Sequence, residues 1–202
     1  MALWRGATPL VLASASAVRR AILNAAGVPV EVNPADVDER ALEAHEQPAD
    51  ACAVAVLLAR AKARAVAASA PDRLVLGADQ TLALGPRRFS KPQDRASARE
   101  QLQALSGNTH KLHSAVAIMR GREVLFEHDE VARLTMRSLS EPFIDIYLDA
   151  AGAAVTASVG AYQVEHLGIQ LFERIEGDHF TILGLPLLPV LGFLRREGSL
   201  AG

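Results

Sequence analysis

Apolar residues fall in short runs separated by Gly, Pro and charged turns, with one alternating stretch between His110 and Arg137. Pro9 to Ala13 predicts a buried strand. Ile22, Leu23 and Ala26 share one face of a helix predicted over Ser16 to Ala26 and closed by Gly27. Val28 to Val32 predicts a second strand, whereas Asp36 to Gln47 is acidic and without period, as expected of a loop or, in part, a short turn of helix. The Ala-, Leu- and Val-rich run from Pro48 to about Ala68 predicts a long helix opened by the proline. Leu74 to Ala78 predicts a short apolar strand that Asp79 closes, with a hairpin after Leu82 to Leu84. Asp94 caps a helix to Leu105, and Ser140 caps another through Ala150. His110 to Met119 and Glu123 to Arg137 alternate well enough for an antiparallel pair about Arg120-Gly121-Arg122. Gly152 to Phe172 is glycine-rich and mixed, and Pro186 to Arg196 predicts a closing helix.

Strands alternating with helices in 202 residues, half of them hydrophobic, indicate one α/β domain over 1–202 with an aliphatic core. With 21 basic and 23 acidic residues the net charge is -2, so nothing global favours nucleic acid or an anionic membrane as partner. Any phosphate site must be local. Cys52 is the only cysteine, which excludes an intramolecular disulfide and fits a cytoplasmic, reducing location, with the thiol expected as a buried small hydrophobe. The longest apolar stretch, Thr181 to Leu194, contains Pro186 and Pro189 and is shorter than a membrane span.

Candidate chemistry starts where the first strand meets the first helix. A helix N-terminus leaves N–H groups unpaired, Ser14 and Ser16 add hydroxyls, and Arg19 or Arg20 can fork onto phosphate oxygens. The same junction alone also reads as an ordinary N-cap with solvated arginines. Asp79 follows Gly77 and Ala78, small residues that would let a ligand approach the backbone, and a second acidic cluster, Asp36-Val37-Asp38-Glu39, lies upstream. Carboxylates so placed could hold a hard cation that bridges phosphate oxygens and activate an attacking water. Lys62 and Lys91 could offset phosphate charge, although each also suits a solvated surface. The histidines form no metal-binding pattern, and neither a GxxxxGK[ST] loop nor GxGxxG occurs.

Taken in order, Leu12 to Arg20, Asp36 to Glu39, Leu58 to Ala63, Leu76 to Gln80, Ser90-Lys91-Pro92, Ser106 to His110, Gly160-Ala161-Tyr162, Arg174 to Asp178 and Gly184-Leu185-Pro186 resemble the Maf family, nucleoside triphosphate pyrophosphatases related in fold to the inosine triphosphatases. The resemblance spans about Leu10 to Pro186 and implies an α/β fold with a mixed central sheet, flanking helices and two lobes around a cleft. It implies hydrolysis of a nucleoside triphosphate to monophosphate and pyrophosphate with a divalent cation, Mg2+ or Mn2+. It makes Asp79 the catalytic base, Glu39 and Asp79 the metal residues, and Ser14, Ser16, Arg19, Arg20, Lys62 and Lys91 the phosphate-binding set. The partner it implies is the nucleotide itself, with a homodimer left open. The alternative is a non-catalytic nucleotide-binding regulator of septum formation.

Three positions depart from the commonest pattern where the family chooses its base. Val18 stands in place of an arginine, Gln80 in place of a threonine and Glu165 in place of a glutamine. These resemble the branch acting on 7-methyl-GTP. The chemistry agrees, because a carboxylate at Glu165 can accept from the adjacent N1–H and N2–H donors of guanine and is attracted by the positive charge of N7 methylation. The bland alternative leaves Glu165 facing water.

Overall fold

The computed structural model describes residues 3–202. In chain order its elements are β1 (Leu10–Leu12), α1 (Ala17–Ala25), β2 (Val30–Val32), α2 (Glu39–Glu46), α3 (Ala51–Ala67), β3 (Val75–Leu84), β4 (Arg87–Phe89), α4 (Arg95–Leu105), β5 (Thr109–Arg120), β6 (Glu123–Met136), α5 (Glu141–Ala151), β7 (Phe172–Glu176), α6 (His179–Ile182) and α7 (Leu187–Arg196). The strands are ordered β2-β1-β3-β5-β6-β7, with β4 on β3. β1 pairs in parallel with β2 and β3, while the β3–β4 and β6–β7 pairs are antiparallel. The sheet is therefore mixed.

The chain forms two compact units. Unit 1 takes the chain through Gln80, Ser114–Glu130 and His179–Gly202, and unit 2 takes Thr81–His113 and Val131–Asp178.

In unit 1 successive strand residues serve opposite faces. Leu10, Leu12, Leu76 and Ile118 pack with Ile22 and Leu23 of α1 and with Val190 and Leu194 of α7. Val11, Val75, Ala117 and Met119 pack instead with Ala63, Val66 and Ala67 of α3. Burial on both faces explains why β1 and the start of β3 read as unbroken apolar runs rather than as alternation.

In unit 2, α4 and α5 lie together, and a short 3-10 turn at Val159–Ala161 lies against α4. His110 on β5 is fully buried, its Nε2 2.7 Å from the Tyr162 hydroxyl and its ring tilted against Tyr162 and Phe172. Burial pushes its pKa down to about 4, so the folded protein keeps it neutral. The unfolded chain protonates it at its ordinary value near 6.5. Its contribution to stability is therefore complete above about pH 6.5 and is lost as pH falls through about 4, on the order of 3 kcal/mol in all at about 1.4 kcal/mol per pH unit. Urea unfolding between pH 7 and 4 should show parent stability falling more steeply than that of His110→Gln, whose amide cannot ionise. Parallel pH profiles would refute this account.

Three sequence expectations change, and a fourth resolves to its helical alternative. Asp36 to Gln47 contains an eight-residue helix, α2, capped by Asp38 and ended by Gln47 in the left-handed region. No residue of α2 is buried, so no apolar period announced it. Pro48 lies outside α3, whose N-cap is Asp50, its Oδ1 accepting from the Ala53 N–H at 2.8 Å. Asp79 does not close a strand: β3, ten residues long and mostly buried, continues through it to Leu84. Cys52 is half-buried, its Sγ donating to Asp129 Oδ2 at 3.2 Å, and burial together with Asp129 pushes its pKa up to about 11. β7 carried no sequence signal, because its residues are half-buried or exposed throughout.

Candidate active site

Local chemistry in unit 1 builds the site from four segments. After β1, the Ser14 hydroxyl accepts from the Ser16 N–H and the Ser16 hydroxyl caps α1 by accepting from the Arg19 N–H, each at 3.3 Å. A cap of this kind contributes about 1 kcal/mol, and here it sets Arg19 on the first turn of α1. On α2, the Asp38 cap makes Glu39 the first helical residue. On the far side, α3 rests directly on β3 at Gly77. A Cβ at that position would lie 2.1 Å from the Ala59 carbonyl oxygen and 2.6 Å from the Ala63 nitrogen. Gly77 thus admits a helix where the sequence suggested the approach of a ligand.

That close approach lets Lys62 span the gap between α3 and β3. Its Nζ lies 2.6 Å from Asp79 Oδ1 and 2.7 Å from Glu39 Oε1. Arg19 donates from Nη1 to the Ala78 carbonyl at 2.8 Å and to the Ser14 hydroxyl at 3.2 Å, and from Nε to the Gly184 carbonyl at 2.8 Å. Ser14, Arg19, Glu39, Lys62 and Asp79 therefore come together within unit 1.

Charge is concentrated where water is scarce. Asp79, 8% exposed, is the one buried carboxylate among the described residues. Burial raises its pKa, against the pull of Lys62 and Arg19, and Glu39 pushes the same way as burial. Burial also lowers the pKa of Arg19 from the usual arginine value, although Asp79 and Glu39 oppose this. The guanidinium's hydrogen bonds to the Ala78 and Gly184 carbonyls and to the Ser14 hydroxyl all end on neutral acceptors, so its charge is held in place without a directly bonded carboxylate. That arrangement suits an incoming anion.

Among the described residues no three His, Cys, Asp or Glu side chains gather as a metal cage. The donor set nonetheless fits a hard divalent cation. Such ions are held by one or two carboxylates with waters and substrate phosphates completing the shell. Glu39 and Asp79 present oxygens to one common point, now taken by the Lys62 ammonium.

Other residues singled out in the sequence lie elsewhere. Arg20 is exposed, and Val18 packs against the core beneath α1. In unit 2, exposed Lys91 precedes buried Pro92, and Glu165 is exposed in a turn. Gln101 ties together the backbone near both: its Nε2 donates to the Ser90 carbonyl at 2.8 Å and its Oε1 accepts from the Gly160 N–H at 3.0 Å. Sequence reasoning missed Ser114 and Thr181, both fully buried, and the two carbonyls that hold Arg19. A polar residue in the apolar run of β5 was the available signal for Ser114. A carbonyl acceptor leaves no trace in residue type.

The Maf-like protein family model matches residues 9–197, nearly the whole chain. The chain belongs to the Maf family. A Maf relative from Bradyrhizobium diazoefficiens, a nucleoside triphosphate pyrophosphatase, is 56% identical over 201 residues, covering all of both chains. Another from Rhizobium etli, a 7-methyl-GTP pyrophosphatase, is 52% identical over 195 residues, 96% of this chain and 98% of the relative. A solved HAM1 protein from Coxiella burnetii overlaps 63% of this chain and 72% of its own, with a TM-score of 0.40 and 16% identity. No helix among the described residues of this Maf chain is long and apolar enough to cross a membrane.

Proposed function

We propose that this chain hydrolyses nucleoside triphosphates to the monophosphate and pyrophosphate, acting as one catalytic domain over 1–202, and that its preferred substrate carries guanine methylated at N7. The observation that carries the reading is the Lys62 ammonium held between Glu39 and Asp79 beside the half-buried Arg19. Two carboxylates and two cations around one point match what the α–β anhydride requires. The names of its full-length relatives support the same activity.

In this reading Asp79 takes the proton of the attacking water, helped by a basicity that burial has raised. Arg19 and Lys62 hold phosphate oxygens and offset the charge that develops on the departing pyrophosphate, with Ser14, Ser16, Arg20 and Lys91 as further phosphate contacts. A divalent cation, Mg2+ or Mn2+, bound by Glu39 and Asp79 would neutralise phosphate oxygens. Glu165 accepts from the guanine N1–H and N2–H, and Val18 places no competing positive charge near a methylated base.

The test is kcat/KM for 7-methyl-GTP, GTP, dTTP and UTP, with products identified, in the parent and in Glu165→Gln. The parent should release pyrophosphate and prefer 7-methyl-GTP. Glu165→Gln should narrow that preference about tenfold, the loss expected for a charge-assisted hydrogen bond. Absence of pyrophosphate would leave a nucleotide-binding regulator. A parent preferring dTTP or UTP, or an unchanged ranking in the variant, would remove Glu165 from base recognition.

A further inference from the structure

In unit 2 the half-buried Gln101 of α4 is held at both ends of its amide. Its Nε2 donates to the Ser90 carbonyl at 2.8 Å and its Oε1 accepts from the Gly160 N–H at 3.0 Å. A carbonyl can only accept and a backbone N–H can only donate, so each partner by itself fixes which way round the amide sits, and the two agree. The Ser90 oxygen lies in one peptide plane with the nitrogen and Cα of Lys91. Holding that oxygen therefore sets the direction in which the chain enters Lys91. Buried Phe89 and Pro92 seat the turn on either side, while Ser90 and Lys91 themselves are exposed.

The acceptor end of Gln101 holds a backbone that does not stay in place for nothing. Gly160 has φ +79° and Ala161 has φ +63°, two consecutive residues in the left-handed region. Glycine adopts that conformation freely, but Ala161 carries a Cβ and adopts it at a cost, which persists only where the surroundings over-determine it. Three side chains supply that support. Gln101 takes the Gly160 N–H, the Tyr147 hydroxyl donates to the Ala161 carbonyl at 3.1 Å, and the Tyr162 hydroxyl lies 2.7 Å from His110 Nε2. Glu165 follows three residues after Tyr162. Through its donor end Gln101 also reaches the turn that carries Lys91.

We infer that Gln101 is a positioning residue that joins the Lys91 turn to the segment 160–165, so that the phosphate contact and the base contact of unit 2 are set by one side chain. The inference rests on the proposal that Lys91 meets phosphate and Glu165 meets the base. The two ends of the amide then have separable effects. The donor end acts through Lys91 on every nucleoside triphosphate alike, because all carry the same phosphates, whereas the acceptor end acts through the left-handed turn on the choice of base.

The experiment measures pyrophosphate release from 7-methyl-GTP and from UTP in two variants, each also combined with Lys91→Ala. Gln101→Leu removes both ends of the clamp, and Gln101→Glu keeps an acceptor for Gly160 but loses the donor to Ser90. Gln101→Glu should lower kcat/KM about fivefold for both substrates, the loss of one hydrogen bond, and leave their ratio within about twofold of the parent's. Gln101→Leu should lose the same factor with UTP and about threefold or more beyond it with 7-methyl-GTP, which narrows the preference. With UTP, neither should add more than about twofold to the loss caused by Lys91→Ala, since residues acting through one contact are not additive. Losses that multiply with that of Lys91→Ala, or a Gln101→Leu protein that keeps the parental kcat/KM or the parental preference, overturn the inference. If Gln101→Leu does not fold by circular dichroism, Gln101→Ala takes its place under the same criteria. Lys91→Ala at parental activity would refute the phosphate role of Lys91 and take the inference with it, a failure read from that single variant. A parent without preference for 7-methyl-GTP would refute the base reading before any variant is made.

Discussion

Replacing Asp79 by Asn is expected to lower pyrophosphate release about 100-fold or more without loss of the fold. Asn is nearly isosteric and keeps an oxygen toward Lys62, but it accepts no proton from water and is a poorer ligand for a hard cation. The sign of the stability change follows from the raised pKa of Asp79. A carboxyl group that holds its proton more tightly when folded contributes its stability below the usual carboxylate value of about 4, and that contribution is lost as pH rises through the folded pKa. At neutral pH the ionised group is thus a net cost to the folded state. In the absence of divalent cations the Asn variant should unfold at the same temperature as the parent or higher. Near-parental turnover would move the base role away from Asp79, with Glu39 next to be tested. A fall in activity accompanied by a fall in Tm would mean that Asp79 holds the fold together.

Gly77→Val is expected to leave no folded protein at 37 °C. The first carbon of any side chain would sit 2.1 Å from the Ala59 carbonyl oxygen, and the atoms it meets are helix backbone, which cannot rotate aside. Overpacking a core typically costs about 1–3 kcal/mol and occasionally more, and here relief requires lifting α3 off β3. Domains are stable by only about 5–15 kcal/mol. Gly77→Ala carries the same clash with less bulk and serves as the graded case. If it folds, its activity should fall more than its Tm, because moving α3 outward withdraws Lys62 from Asp79. Soluble expression, circular dichroism and pyrophosphate release decide the matter. A Gly77→Val protein with parental Tm would show that the helix has room to shift.

Sequence revealed the elements that burial or capping had marked. Ser16, Asp94 and Ser140 cap the helices expected of them, and β5 and β6 flank the expected turn at Gly121. α2 was legible only as an alternative to a loop, because helical periodicity reports burial and this helix buries nothing. An acidic residue is an unusual guest within a sheet, so the sequence presents Asp79 as a strand end. In the fold Lys62 answers its charge, and the strand runs on. The residue types at the site were legible, and so was the resemblance that links them. The Gly184 carbonyl was not legible as a support of Arg19, since a hydrogen bond spanning more than 100 residues to a backbone carbonyl follows no local pattern.

Unit 1 is discontinuous along the chain, and that has a consequence for the order of synthesis. Ser14, Arg19, Glu39, Lys62 and Asp79 are all made within the first 80 residues, yet the carbonyl that braces Arg19 belongs to Gly184. At roughly 5–20 residues per second a ribosome needs several seconds more to reach that glycine. Throughout that interval the nascent chain carries the chemical groups without the brace that aligns the arginine. A chain cut short before Gly184 would keep every residue proposed to act on the nucleotide below position 166 and still lack an aligned phosphate clamp.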